Sequence, residues 1–243
     1  MTSKYDVVIV GAANAALCAA HAARERVERV LVLEKAPREQ AGGNTFFTAG
    51  AFRVAYGTLE QARPLLEGLT DEMAARVDLP PYREADFLAD LVRMTEGRCD
   101  PALAGLLTGD SFETVRWMHG KGIRWELMFA RQSFPMGDRF RFFGGLALGT
   151  VGGGKGLLAQ HLEAARRAGI EIRYDSPAVG LLRDGRGVRG VVVEGPRGRE
   201  EIAAGAVVLA SGGFEADPRM RAQYLGPNWD IVKVRGSEAN TGD

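Results

Sequence analysis

The chain has 243 residues, 46% of them hydrophobic and 26% charged, enough for one large domain or two small ones around a substantial core. Its 31 basic and 31 acidic residues cancel to a net charge of +0, so no basic excess points to nucleic acid, and the Arg-rich stretches read as solvated surface. The distant Cys18 and Cys99 offer neither a disulfide framework nor a zinc spacing and suit a reducing compartment, and the scattered His21, His119 and His161 give no metal site.

At the N-terminus there is no cationic region or cleavage site of a secretory leader. No apolar run reaches the ~18 residues of a membrane span, and the expected location is the cytoplasm. Tyr5–Val10 reads as a strand buried on both faces, Asn14–Glu25 as a helix and Val30–Leu33 as a second buried strand. Strand, helix and strand in this order make a right-handed βαβ unit on a parallel sheet. The glycine-rich stretch "AGGNTFFTAGAF" (41–52) leads into a largely helical middle. Leu59–Arg76 and Glu84–Glu96 have helical spacing, with "LPPY" breaking between them. Pro101–Leu107 and Ser111–His119 continue that pattern, with Ser111 as the expected N-cap and Gly120 and Gly122 ending the helix. Arg131–Gly149 is rich in aromatics, Arg and Gly and takes no assignment. Gly156–Ala168 is again helical, with Gly169 as C-cap. Five strand-like runs follow: Ile170–Tyr174, Ala178–Arg183, Val188–Glu194, Glu200–Ala203 and Ala206–Ala210. The turns "RDGRG" and "GPRGR" between the middle runs predict an antiparallel meander. No repeat or low-complexity linker interrupts the chain.

The turn after the first strand, "VGAANAAL", sets Gly11, Ala13 and Ala16 at the three small-residue places of the dinucleotide fingerprint G-x-G-x-x-G. Gly11 permits the tight turn, and Ala16 lets the helix pack on the strand. Ala13 is the departure, because its methyl stands where phosphate oxygens come nearest. A strained contact there costs ~1–3 kcal/mol, or about 10-fold to 100-fold in affinity. The helix N-terminus still offers free N–H groups and its dipole to an anion. Glu34 ends the second strand, 23 residues after Gly11. A carboxylate there can accept from both ribose hydroxyls of an adenosine and would repel a 2′-phosphate, which argues against NADP. In "GGNTFFTAG", Gly42 and Gly43 allow a crowded main chain, Asn44 and Thr45 add side-chain donors, and Phe46, Phe47 and Phe52 are too apolar for a free loop; such a path suits a flat ring system. "AVVLASGGFEAD" (206–217) runs a buried strand into Ser211–Gly213, again where ligands of parallel sheets sit. "GTVGGGKG" (149–156) nearly fits a P-loop, but Gly156 stands where a hydroxyl would hold magnesium. It reads as a tight lead into the next helix. A NAD-dependent dehydrogenase would use the first motif but leaves "GGNT" and "ASGGF" unexplained.

Taken together, the "GNAALCAA"-like start, "LEKAP", "GGNT…TAG", "ASGGFEAD" and the terminal "NTGD" resemble, in order and over nearly the whole chain, the flavoprotein family of fumarate reductase and succinate dehydrogenase. The closest likeness is to its tricarballylate dehydrogenase branch, which includes the flavoprotein part of the precorrin-3B synthases. The resemblance implies an α/β fold: a Rossmann-like FAD-binding domain with a central parallel sheet, a small antiparallel β meander and a helical insertion. It implies non-covalent FAD, since Asn44 stands near where covalent relatives carry a histidine. By the same resemblance Gly11, Ala13, Asn14 and Ala15 flank the pyrophosphate, Glu34 holds the ribose with Lys35 and Ala36 beside it, and Ala178 or Val179 meets adenine. Gly42, Gly43, Asn44, Thr45, Thr48, Ala49 and Gly50 would line the path to the isoalloxazine. Ala210, Ser211 and Gly212 would approach the cofactor, as would Asn240, Thr241, Gly242 and Asp243. The implied activity is dehydrogenation of a small tri- or dicarboxylate such as tricarballylate, with hydride passing to FAD and electrons to an iron–sulfur or membrane partner. The alternatives are a precorrin-3B synthase-like flavoprotein of cobalamin synthesis and a catalytically incomplete nucleotide-binding or interaction module. Family members are longer, so residues 1–243 are expected to be the N-terminal part of an FAD-binding domain. The capping domain and the later segment, with the proton-donating arginine, would lie beyond it. No catalytic acid or base is assigned in this chain.

Overall fold

A computed structural model describes residues 5–196 and 198–243. In chain order the elements are β1 (Tyr5–Val10), α1 (Asn14–Arg24), β2 (Val30–Leu33), β3 (Ala51–Phe52), α2 (Leu59–Ala62), α3 (Asp71–Ala75) and β4 (Val77–Asp78). Next come α4 (Glu84–Met94), α5 (Pro101–Gly109), α6 (Ser111–Gly120), β5 (Trp125–Leu127), α7 (Phe129–Gln132), β6 (Ser133–Met136), β7 (Arg139–Phe142) and β8 (Leu148–Thr150). The chain closes with α8 (Gly153–Arg167), β9 (Glu171–Arg173), β10 (Ala178–Asp184), β11 (Gly187–Gly195), β12 (Gly198–Leu209) and α9 (Pro218–Leu225). These form two compact units, one from the segment up to Thr48 with Leu158–Asp243, the other from Ala49–Leu157. The fold is α/β with a parallel-centred sheet, as the sequence predicts.

The first unit is built on a sheet of order β10-β11-β12-β1-β2-β9. β12, β1, β2 and β9 run parallel, and β10 and β11 add the antiparallel meander. The period of 2 along each strand divides its side chains between two cores. On one face Val8, Leu31 and Leu33 join Val191, Val193 and Ile202. On the other, Ile9, Val30 and Val32 meet Ala16 and Ala20 of α1 and Ala165 of α8. β2 is therefore buried throughout, and the alanines let the helices close onto the sheet. Truncating a core residue such as Leu31 costs ~2–5 kcal/mol.

The two runs Glu200–Ala203 and Ala206–Ala210 are one strand, β12, which pairs antiparallel with β11 through residues 198–203 and parallel with β1 through 204–209. Gly205 sits just past that change of partner, where a Cβ would lie 2.9 Å from the Asp6 carbonyl oxygen.

The second unit holds the helical middle and two small sheets, β3-β8-β5 and β4-β7-β6. Leu59–Arg76 is not one helix. Pro64 turns α2 into a 3₁₀ turn (Arg63–Leu65), and α3 restarts under Thr70, whose hydroxyl accepts from the Met73 N–H. Ser111 is the first residue of α6 rather than its cap: its hydroxyl accepts from the Ala55 N–H at 3.0 Å and donates to the Thr108 carbonyl. Arg131–Gly149 contains the hairpin β6–β7 and runs into strand β8. Among the described residues no helix is long and apolar enough to cross a membrane.

Candidate functional site

β1 ends at Val10 and Gly11 turns the chain at φ +105°, its N–H donating to the Leu33 carbonyl at 2.7 Å. A Cβ at this position would lie 2.4 Å from the Ala210 carbonyl oxygen, so only glycine fits. Ala13 is the N-cap of α1 at φ −92°, ψ −174°, a geometry any residue adopts. Its methyl faces Gly43, where a Cβ would sit 3.6 Å away. The Asn14 N–H donates to Thr45 Oγ1 at 3.0 Å, tying the "GGNT" loop to the start of α1.

Glu34 follows β2 and is 6% exposed. Its Oε2 accepts from the Ala12 N–H at 3.2 Å and its Oε1 from the Ala36 N–H at 2.9 Å. Each oxygen keeps one acceptor position, so the carboxylate is locked in place and can still take two hydroxyl donors. Lys35 donates to Thr241 Oγ1 at 2.6 Å and pairs with Asp243 at 2.8 Å. Burial alone would raise the Asp243 carboxyl, but the Lys35 and Thr241 hydrogen bonds outweigh it and hold it below its ordinary value. Asn44 Oδ1 accepts from the Ser237 N–H at 2.9 Å. Asn240, buried, donates to Glu215 at 3.2 Å.

These groups surround a cavity of about 420 Å³ at the C-terminal ends of β1, β2 and β12. Small-molecule and cofactor sites span ~300–1,000 Å³. In an open parallel sheet the crevice lies where the strand order reverses, which is between β1 and β12. Of the residues named from the sequence, Gly11, Ala13, Asn14 and Ala15 line its floor, with Glu34 and Lys35. Gly43, Asn44, Thr45 and Ala178 form further walls, as do Ala210, Ser211 and Gly212. Asn240, Thr241, Gly242 and Asp243 complete it.

Six named residues stand elsewhere. Ala36 reaches the site only through its N–H to Glu34. Gly42 is backed by the Leu158 side chain, exposed Thr48 bonds back to the Thr45 carbonyl, and Val179 is 53% exposed on β10. Ala49 and Gly50 belong to the second unit, where the Gly50 carbonyl accepts from the Thr150 N–H at 2.9 Å. Sequence reasoning missed Ser176, Pro177 and Glu215 among the lining. Glu215 lies inside "ASGGFEAD", where a carboxylate in an anion site gives no signal; Ser176 and Pro177 precede β10 and belong to no motif.

A profile for "FAD binding domain" matches residues 6–243. The cytochrome-type fumarate reductase of Shewanella frigidimarina is 27% identical over 92% of this chain and 35% of its own length. The urocanate reductase of Eggerthella lenta is 25% identical over 100% of this chain and 37% of its own. The open conformation of a flavocytochrome c3 fumarate reductase superposes with a TM-score of 0.73 and 25% identity, over 99% of this chain and 39% of that one. The chain thus spans little more than a third of the length of these relatives. With the βαβ turn, the locked glutamate and the profile match covering nearly every residue, the chain belongs to the FAD binding domain family.

Proposed function

We propose that this chain is the FAD-holding part of an oxidoreductase of the fumarate reductase type, acting between the saturated and unsaturated forms of a small di- or tricarboxylate such as tricarballylate. The observation that carries the cofactor part is Glu34, which lines the cavity, buried and fixed by two backbone N–H groups with one acceptor position left on each oxygen. That arrangement fits the adenosine ribose of a dinucleotide without a 2′-phosphate. The Gly11 turn, the α1 N-terminus and the Asn14 amide suit the diphosphate. Ser211 and Gly212 allow close approach from β12, and Ala178 suits the adenine. When bound, FAD supplies the hydride chemistry; the chain's own residues bind and orient it and shield it from water. The carboxylate substrate is supported by relatives named for fumarate and urocanate. The cytochrome in one relative's name supports an electron-transfer partner, which we take to be an iron–sulfur or membrane protein.

Adding FAD to the purified chain, desalting it and recording the visible spectrum tests this. Flavin absorbance that travels with the protein is expected, with NADP failing to compete. Glu34→Gln is expected to weaken FAD at least tenfold, because it loses the charge and gains a donor facing the hydroxyls, a change of ~1.4 kcal/mol or more. A folded wild-type chain that takes up no flavin would sink the reading. Turnover of tricarballylate against fumarate by the loaded protein then separates the substrate assignments.

A further inference from the structure

His161 of α8 is 1% exposed and stacks on His21 of α1, with ring centroids 5.7 Å apart and planes 17° from parallel. Its Nε2 lies 2.9 Å from Asn14 Oδ1. An amide oxygen only accepts, so this nitrogen carries the hydrogen. Nδ1 has no hydrogen-bond partner among the described residues, as suits the bare nitrogen of a neutral ring. Burial, reinforced by His21, pushes the His161 pKa down to about 4, which keeps the ring neutral near pH 7. Cys18 Sγ approaches the same oxygen at 3.8 Å; burial pushes its pKa up to about 11, so it stays a thiol donor. Asn14 Oδ1 thus faces two donors. Its Nδ2 makes no hydrogen bond among the described residues, and its backbone N–H is already spent on Thr45. Asn14 also lines the cavity.

We propose that His161 is a positioning residue for the cofactor site: by donating Nε2–H to Asn14 Oδ1 it fixes the amide so that the Nδ2 hydrogens are the group offered to the diphosphate. Turned the other way, the amide would present its oxygen to an anion and set its NH₂ against the Nε2–H, losing two hydrogen bonds at once. The role rests on the FAD reading above.

A double-mutant cycle tests it, with FAD affinity read by flavin fluorescence and folding checked by thermal unfolding. His161→Phe keeps the ring and removes the donor; a loss of about tenfold, or ~1.4 kcal/mol, is expected. His161→Gln, which restores an N–H, is expected to recover most of it. In an Asn14→Ala background, His161→Phe is expected to change affinity less than twofold, since its effect runs through Asn14. Imidazole ¹⁵N shifts of the wild-type chain at pH 7 are expected to show the Nε2–H tautomer, and this needs no variant. Wild-type uptake of FAD with additive losses, or an Nδ1–H tautomer, overturns the positioning role alone. No uptake by the wild type overturns the cofactor site and this role with it.

Discussion

At Ala13 two physical effects compete, and the geometry decides their size. The fingerprint places a glycine here to let phosphate oxygens approach, not to permit an unusual backbone. With φ −92° and ψ −174°, alanine carries no conformational penalty. What remains is the methyl, directed toward the open side of Gly43, where even an added Cβ would make ordinary contact at 3.6 Å. The protein around Ala13 therefore adds no strain of its own, and the cost is confined to the methyl's contact with the diphosphate. Ala13→Gly is expected to tighten FAD by no more than about tenfold, measured by titration. A gain nearer a hundredfold would show that the methyl blocks the diphosphate path. The site was legible at this scale where one local pattern carried it: Gly11 and Glu34 follow from strand, turn and strand ends. His161 was not, because a lone histidine on a helix is ordinary. Its meaning comes from a contact with Asn14, 147 positions away in sequence.

Among the elements, caps and interruptions explain both what could be read in advance and what could not. The buried parallel strands appear as unbroken apolar runs, and β1 and β2 fall where those runs do. β12 reads as two runs because Gly205 interrupts its side-chain pattern, whereas in three dimensions that glycine marks close approach to β1. Periodicity alone runs one helix through Leu59–Arg76 because it ignores Pro64 and the start signal at Thr70. β7 alternates Arg and Phe, with Phe140 and Phe142 packed on Phe129, but over only four residues the pattern is lost among the arginines and glycines around it. At α5 the cap is well formed: the Asp100 carboxylate accepts from the Ala102 and Leu103 N–H groups, both at 2.9 Å, with Pro101 at the first helical position. Asp100→Ala is expected to lower stability by about 1 kcal/mol, read from the denaturant midpoint, while Asp100→Asn keeps most of it. FAD affinity is expected to stay unchanged in both. A shift in affinity would show that α5 is coupled to the cofactor site.

On the scale of the whole molecule, the His21–His161 stack makes stability depend on pH. In the unfolded chain a histidine titrates near its ordinary ~6.5; folded, His161 titrates at about 4. Its folded pKa is depressed, so the contribution is full above pH ~6.5 and is lost as pH falls toward 4, where the unfolded state takes up a proton that the native state refuses. Between pH 6.5 and 5 the loss approaches ~2 kcal/mol for a ring this buried. The carboxylates that the fold holds below their ordinary value act lower still. Asp184 is lowered by Arg189 and Glu163 by Arg166, and each loses its contribution as pH falls from the ordinary carboxylate range toward its lowered folded pKa. Between pH 6.5 and 5 the His161 imidazole therefore acts above these carboxylates. Comparing denaturant midpoints at pH 7 and pH 5 isolates it: the wild-type chain is expected to lose about 2 kcal/mol, and His161→Phe, with nothing to protonate there, much less. Equal losses in the two proteins would mean that His161 titrates normally. The neutral ring would then be no fixed feature of the fold.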